Sequence, residues 1–100
     1  MAPKDARTTY NEMFAYIQSQ GGPFSSWYAG VTADVDQRLF GDHNVPRQNH
    51  WFIYREASSV NDARAVEKAL LEAGCDGGPG GGDENTVVVY AYLKATQTNP

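Results

Sequence analysis

The chain has 100 residues, of which 41% are hydrophobic and 20% charged, and its formal net charge is −4. This length predicts one domain, residues 1–100, because two separate hydrophobic cores would not fit. The single cysteine excludes a disulfide framework or thiolate zinc cluster within the chain, and the acidic balance argues against binding nucleic acid by electrostatics alone. Because no apolar run approaches the roughly 18 residues of a membrane span, we expect no membrane partner and a cytoplasmic location.

The first elements alternate between helix and strand. Residues 4–20 predict a helix, with Thr8 or Thr9 as its N-cap and Glu12 completing a capping box with Thr9. Its apolar residues follow helical spacing; they are Tyr10, Met13, Phe14 and Ile17. The aromatic and β-branched residues 27–32 predict the first strand.

A second capping-box signal follows the first strand. Asp34 and Gln37 predict a short helix of about two turns that ends at Gly41. After a polar loop, the apolar run over residues 50–57 predicts a second strand with both faces at least partly covered.

The last third of the chain predicts one helix and one strand. Ser59 and Asp62 mark the start of a helix that ends before the glycine-rich segment 74–85. Residues 86–93 predict a strand, and residues 95–100 are expected to fray. The order α-β-α-β-α-β without tight hairpins indicates an α+β domain, with helices covering a small sheet whose core spans residues 26–93.

The glycine-rich segment does not fit a phosphate-binding loop. No lysine with serine or threonine follows it at a helix start, and Asp76, Asp83 and Glu84 would repel phosphate. We interpret it as a structural turn whose backbone packs where side chains would not fit.

Two charged residues are predicted to point inward. On a helical wheel, Glu67 lies between Ala63 and Leu71, at the edge of the buried stripe. A carboxylate there must be paired, protonated or bound to a cation; an ion pair with an arginine at the rim is the plain alternative. Arg38 lies one turn after Val35, and its guanidinium suits bidentate binding of a carboxylate or phosphate.

His43 follows the short helix in a loop, where its ring would titrate near neutrality, although a lone loop histidine is ordinarily a solvated surface residue. Five of the eight basic residues lie in the central third of the chain, which indicates where an anion would bind. They are Arg38, Arg47, Arg55, Arg64 and Lys68.

In order and spacing, these residues resemble the GIY-YIG nuclease family. The stretch WYAGVTADVDQRLFGDH is similar to the second strand and first helix of that family, with YAG in place of YIG, Thr32 as the usual threonine and Arg38 at the catalytic arginine. The stretch ARAVEKALLEAG is similar to the later helix whose glutamate holds a divalent metal, which places Glu67 there. The resemblance covers residues 26–75 and implies a three-stranded, mainly antiparallel sheet flanked by three helices.

The first strand of the family, which carries Gly-Ile-Tyr, has no direct counterpart. The matching position falls on residues 14–16, inside the predicted first helix. The C-terminal strand, in which Val89 and Tyr90 resemble Ile-Tyr, is the favoured replacement, and a strand at Tyr16 is the alternative. The favoured arrangement is therefore permuted, with Tyr90 or Tyr92 as the second tyrosine.

The resemblance implies a metal-dependent endonuclease, a hydrolase of DNA phosphodiester bonds. Glu67 would hold Mg²⁺ or Mn²⁺, and Arg38 would stabilise charge that develops on the phosphate. Tyr28, aided by His43, would take or relay the proton of the attacking water, and Tyr90 would supply the second catalytic tyrosine.

The sequence also allows other hypotheses about the site and the function. Asp42 or Glu56 would add an outer-shell contact to the metal. A non-catalytic module on the same scaffold would bind nucleic acid or a protein partner, with Trp27 or Trp51 as an exposed anchor. A homodimer subunit that shares only the scaffold is a third hypothesis.

Overall fold

The computed structural model describes residues 3–21, 23–78 and 85–100. It contains three helical and three strand elements in the predicted alternating order. They are α1 (Ala6–Ser19), β1 (Trp27–Thr32), a π-helical segment (Asp36–Asp42), β2 (Phe52–Glu56), α2 (Val60–Ala73) and β3 (Val88–Leu93), with a 3₁₀ turn at Phe24–Ser26. The α+β class is confirmed. The prediction of a turn over residues 79–84 lies outside the described residues.

The three strands form one antiparallel sheet with the C-terminal strand at its centre, in the order β1-β3-β2. The antiparallel three-stranded sheet is thus confirmed. Gly30 pairs with Tyr90, and Tyr28 pairs with Tyr92. Residues 14–16 lie within α1, so the alternative strand at Tyr16 is wrong.

The two faces of the sheet carry different cores, because successive side chains of a strand point to opposite sides. One face packs against α1 and α2. The core between this face and the two helices includes the fully buried side chains of Met13, Ile17, Trp27, Val66, Leu70 and Val89. The other face is covered by the π-helical segment and the loop after it, through Leu39 and Val45.

The two long helices begin in different ways. In α1 the N-cap is Asp5, whose side chain accepts a hydrogen bond from the Thr8 amide at 2.8 Å, so the predicted cap at Thr8 or Thr9 is wrong. Glu12 forms no capping box, because its carboxylate bonds Lys4 Nζ at 2.6 Å and Arg55 Nε at 2.8 Å. Glu12 therefore forms ion pairs with residues distant in sequence instead of the predicted capping box.

The other predicted cap is correct. Ser59 caps α2 by accepting from the Asp62 amide at 3.0 Å. The helix ends at Gly74, whose φ of +125° suits glycine. No helix in the described residues is long and apolar enough to span a membrane.

The last residues of the chain, which were expected to fray, are hydrogen-bonded to the domain. The Asn99 amide donates to the His43 carbonyl at 2.7 Å, and Asn44 Nδ2 donates to the Gln97 carbonyl at 2.9 Å. Thr98 is buried. Sequence composition alone could not indicate these contacts, because they are made mainly through the backbone.

Candidate functional site

An aromatic cluster covers the sheet face opposite α1 and α2. It consists of Tyr28, Tyr90 and Tyr92, with the His43 ring among them. The His43 ring centroid lies 4.8 Å from that of Tyr28, 5.4 Å from that of Tyr90 and 5.0 Å from that of Tyr92. All four residues are buried. The strands place the tyrosines, and the π-helical segment delivers the histidine.

The π-helical segment is wound more widely than the predicted short helix. Its start agrees with the sequence signal, since Asp34 Oδ1 accepts from the Gln37 amide at 3.1 Å. Its end differs, because the His43 amide donates to the Arg38 carbonyl, five residues earlier, at 3.0 Å. Such turns are rare and occur frequently at functional sites. Leu39 is fully buried and packs the segment on the sheet.

Arg38, Tyr90 and His43 form a continuous chain of hydrogen bonds. Arg38 Nε donates to the Tyr90 hydroxyl at 3.3 Å, and that hydroxyl lies 2.7 Å from His43 Nε2. On the other side of the ring, His43 Nδ1 lies 2.6 Å from the Asn99 carbonyl and 3.1 Å from the Tyr92 hydroxyl. The site thus links a guanidinium to the C-terminal residues through one phenol and one imidazole.

Burial sets the protonation of this chain. It raises the pKa of Tyr90 to about 12, even though Arg38 acts in the opposite direction, and it also raises the pKa of Tyr92. Burial lowers the pKa of His43, so the imidazole is neutral at neutral pH. The hydrogen bond to Tyr90 raises the pKa of Arg38. A neutral tyrosine–histidine pair therefore lies beside a permanent cation.

A cleft of about 410 Å³ opens beside this chain, and Tyr28, Arg38, Asp42 and His43 contribute to its walls. The Arg38 side chain is 43% exposed and pairs with Asp42 at 3.3 Å, which leaves part of the guanidinium accessible from the cleft. Tyr90 is only 1% exposed. The structure therefore places Tyr90 behind the cleft wall, where it holds Arg38 and His43.

The first residues of the glycine-rich segment, Asp76 to Gly78, line one side of the cleft. They run along β1, because the Ala29 amide donates to the Asp76 carbonyl at 2.9 Å and the Asp76 amide donates to the Trp27 carbonyl at 2.8 Å. A Cβ at Gly78 would lie 2.5 Å from the Tyr28 hydroxyl. Close backbone approach there supports the interpretation of these residues as a structural turn.

Glu67 lies on α2, which packs on the sheet face opposite the π-helical segment. It is not among the described residues that line the cleft of Tyr28 and Arg38. Burial raises the pKa of its half-buried carboxyl, and the nearby Arg64 opposes that shift. The Glu67 carboxylate in turn contributes to the raised pKa of Tyr90, so the two groups interact electrostatically. Within the described residues, Glu67 makes no direct hydrogen bond or ion pair with Arg38 or another side chain.

The helix that carries Glu67 packs against β1. Leu71, one turn after Glu67, lies against the Gly77 backbone beside the Ala29 carbonyl. Among the described residues, no group of three or more His, Cys, Asp and Glu side chains is arranged to hold a metal ion. A single carboxylate can hold a divalent cation only if the cation keeps most of its water ligands.

The other residues that the sequence suggested as contacts to a metal or a partner lie outside the aromatic cluster. Trp27 is fully buried on the α1 and α2 face, so its interpretation as an exposed anchor is wrong; Trp51 is 47% exposed. Glu56 ends β2, whereas Asp42 pairs with Arg38. Asn99 escaped sequence reasoning, because a main-chain carbonyl has no sequence signature.

Comparisons of this chain with protein-family models, with curated proteins and with solved structures find no match in any of the three.

Proposed function

We propose that this chain is a metal-dependent endonuclease that hydrolyses DNA phosphodiester bonds on a GIY-YIG-like scaffold, with β3 in place of the family's first strand. The observation that supports this most strongly is the chain Arg38–Tyr90–His43, which orients an accessible guanidinium beside Tyr28 in an open cleft. The central position of β3 is consistent with the permuted arrangement.

Arg38 is the anion-binding group of this proposal. Its Nε is held by the Tyr90 hydroxyl, while Nη1 bonds the exposed Asp42 carboxylate at 3.3 Å. A phosphate that enters the cleft would take the place of Asp42. The guanidinium would then stabilise negative charge as it grows on the phosphoryl oxygens, which is the largest contribution that such a group makes.

Tyr28 is the proton-handling group. Its hydroxyl lies at the cleft wall against Gly78, and its ring packs on His43. In the proposed step the Tyr28 hydroxyl accepts a proton from the attacking water and passes its own to solvent in the cleft. His43 is neutral, so it adds no charge beside the nucleophile.

Glu67 would hold Mg²⁺ or Mn²⁺. The charge of Glu67 acts on Tyr90, which bonds Arg38, and this coupling supports a cation near the cleft. When bound, the cation would polarise the phosphate and stabilise the leaving oxygen. The raised pKa of Glu67 means that protons compete with the cation for the carboxylate, so metal affinity should weaken as the pH falls.

A second function, a non-catalytic module that binds a protein partner or nucleic acid, is favoured by one observation. Trp51 is 47% exposed on a chain with a net charge of −4, and tryptophan is enriched among the residues that dominate interfaces. The acidic balance makes a protein the better partner for this module.

Nicking of supercoiled plasmid tests the nuclease. With Mg²⁺ or Mn²⁺ we expect nicked circles, and chelator should abolish them. Arg38→Ala and Glu67→Gln should each reduce the rate by about 10²-fold or more, because each removes a group that acts on the transition state. Arg47→Ala and Glu72→Gln are the matched controls, since Arg47 stacks on Phe40 at 4.0 Å and Glu72 is exposed.

The other outcomes assign the function differently. If Arg38→Ala and Glu67→Gln both nick plasmid at the wild-type rate, the activity comes from a contaminating nuclease. A protein that shifts DNA in a salt-dependent manner without cutting it would be a nucleic-acid-binding module. If the protein neither cuts nor binds DNA, the remaining function is a protein-binding module with Trp51 in its interface.

A further inference from the structure

The His43 ring has two hydroxyl neighbours that leave its tautomer undecided. Nε2 lies 2.7 Å from the Tyr90 hydroxyl, and Nδ1 lies 3.1 Å from the Tyr92 hydroxyl. A phenol can either donate or accept. With these two contacts alone, the neutral ring would satisfy its neighbours equally well with its proton on either nitrogen.

The Asn99 carbonyl removes this freedom. It lies 2.6 Å from His43 Nδ1, and a carbonyl oxygen only accepts. Nδ1 therefore carries the proton, and Nε2 must accept from the Tyr90 hydroxyl. At the far end of the chain Arg38 Nε only donates, so the Tyr90 oxygen accepts from Arg38 while its proton goes to His43. Every bond of the chain from Arg38 to Asn99 then has one direction, and the Tyr92 oxygen can only accept from Nδ1–H.

The opposite tautomer would disturb Arg38. With its proton on Nε2, His43 would donate to the Tyr90 oxygen alongside Arg38 Nε, and the Tyr90 proton would lose its acceptor. The Tyr90 proton would then have to turn elsewhere, and an orientation towards the guanidinium would be repulsive. The tautomer of a buried histidine thus controls how the guanidinium is held at the cleft.

We infer that Asn99 is a positioning residue whose main-chain carbonyl fixes the tautomer of His43 and, through Tyr90, orients the Arg38 guanidinium. Partners on the far nitrogen of a histidine set tautomer and ring orientation in many sites. The tautomer assignment stands on the geometry alone, whereas its catalytic consequence rests on the proposed function.

Hydrogen bonds of residues 95–99 hold the carbonyl in place. The Asn99 amide returns a hydrogen bond to the His43 carbonyl at 2.7 Å. Thr98 Oγ1 donates to the Ala95 carbonyl at 2.9 Å and accepts from the Ala95 amide at 3.0 Å. The carbonyl position therefore depends on the path of residues 95–99 and not on the Asn99 side chain.

Long-range ¹H–¹⁵N NMR of the histidine rings tests the inference. In the whole chain we expect His43 as the Nδ1–H form. His50 is an internal reference of the opposite kind, since its Nε2 donates to the Leu93 carbonyl at 2.7 Å. Deletion of residues 98–100 should give a mixture of His43 tautomers and leave His50 unchanged. Asn99→Ala, which keeps the carbonyl, should retain the Nδ1–H form.

Two further measurements complete the test. If the deletion variant does not fold, Thr98→Val decides, because it removes both hydroxyl bonds to Ala95 at nearly constant volume and should raise the fraction of the Nε2–H form. Nicking should fall about tenfold or more in the variants that lose the tautomer.

The inference is overturned if His43 remains fully in the Nδ1–H form in the folded deletion variant or, where that variant does not fold, in Thr98→Val. It is equally overturned if Asn99→Ala changes the tautomer as much as the deletion does. A wild-type protein that shows the expected tautomer but cuts no DNA contradicts the proposed nuclease and leaves the tautomer assignment standing.

Discussion

At Gly30, the absence of a side chain makes room for the Tyr90 ring. The two residues are paired across β1 and β3, and a Cβ at position 30 would lie 2.5 Å from the Tyr90 hydroxyl oxygen and 2.6 Å from Cζ. The ring cannot yield easily, because it is buried and its hydroxyl is bonded to Arg38 and His43.

Gly30→Ala should therefore displace Tyr90. We expect a loss of about 1–3 kcal/mol in the free energy of unfolding, as for other overpacked sites, together with loss of nicking. Urea unfolding measures the stability. Gly41→Ala is the control, because the nearest atom to a Cβ there is the flexible Gln37 Nε2 at 3.2 Å. Equal stabilities of the two variants would show that the ring has room to move.

At the level of single residues, the sequence indicated which side chains belong to the candidate site but not the role of each. Tyr28, Arg38 and His43 line one cleft, whereas Glu67, which the resemblance groups with them, is not among its described lining residues. Tyr90 lies behind them as a support, because its pairing with Gly30 turns the ring across β1. That placement depends on the register of two strands far apart in sequence.

Among the elements, α2 is the one whose boundaries the sequence encoded most completely. Ser59 accepts from the Asp62 amide at 3.0 Å, and Gly74 ends the helix. Both signals act within a single helical turn, so they need no tertiary contact. The π-helical segment is the contrasting case: its first turn follows Asp34, but its wide winding delivers His43 to tyrosines on distant strands.

Ser59→Ala should lower the free energy of unfolding by about 1 kcal/mol, because the Asp62 amide loses its cap. Ser58→Ala is the matched control, since the contact of Ser58 to Lys4 is made by its backbone amide. Thermal unfolding compares the two variants. Nicking should be unchanged in the folded Ser59→Ala protein, because Glu67 lies two turns beyond the cap. A loss in Ser58→Ala of the same size would show that the cap is not the cause.

For the whole molecule, Glu67 links stability to pH. Burial raises its pKa in the folded state, so the folded protein binds this proton more tightly than the unfolded chain. The free energy of unfolding therefore falls as the pH rises through the interval between the unfolded and folded pKa values. His43 acts in the opposite sense: its lowered pKa removes stability as the pH falls through the ordinary histidine pKa, roughly 6.5.

Glu67→Gln should consequently be more stable than the wild type at neutral pH in the presence of chelator. The gain should vanish below the ordinary glutamate pKa, roughly 4.3, where both side chains are neutral. Urea unfolding across this pH range measures it, with the exposed Glu72→Gln as control. A gain independent of pH, or one shared by Glu72→Gln, would contradict the assigned burial of the carboxyl.

The sequence by itself determined the α+β class, the approximate positions of all six elements and the two signals that bound α2. These follow from periodicity and capping, which act over a few residues. The tertiary structure decided the central place of β3, the pairing of Glu12 with Lys4 and Arg55, and the fixed path of residues 95–99 against His43. Each of these depends on groups brought together from distant parts of the chain, and the last is made by a backbone carbonyl that every residue possesses, so no local pattern of side chains could have specified it.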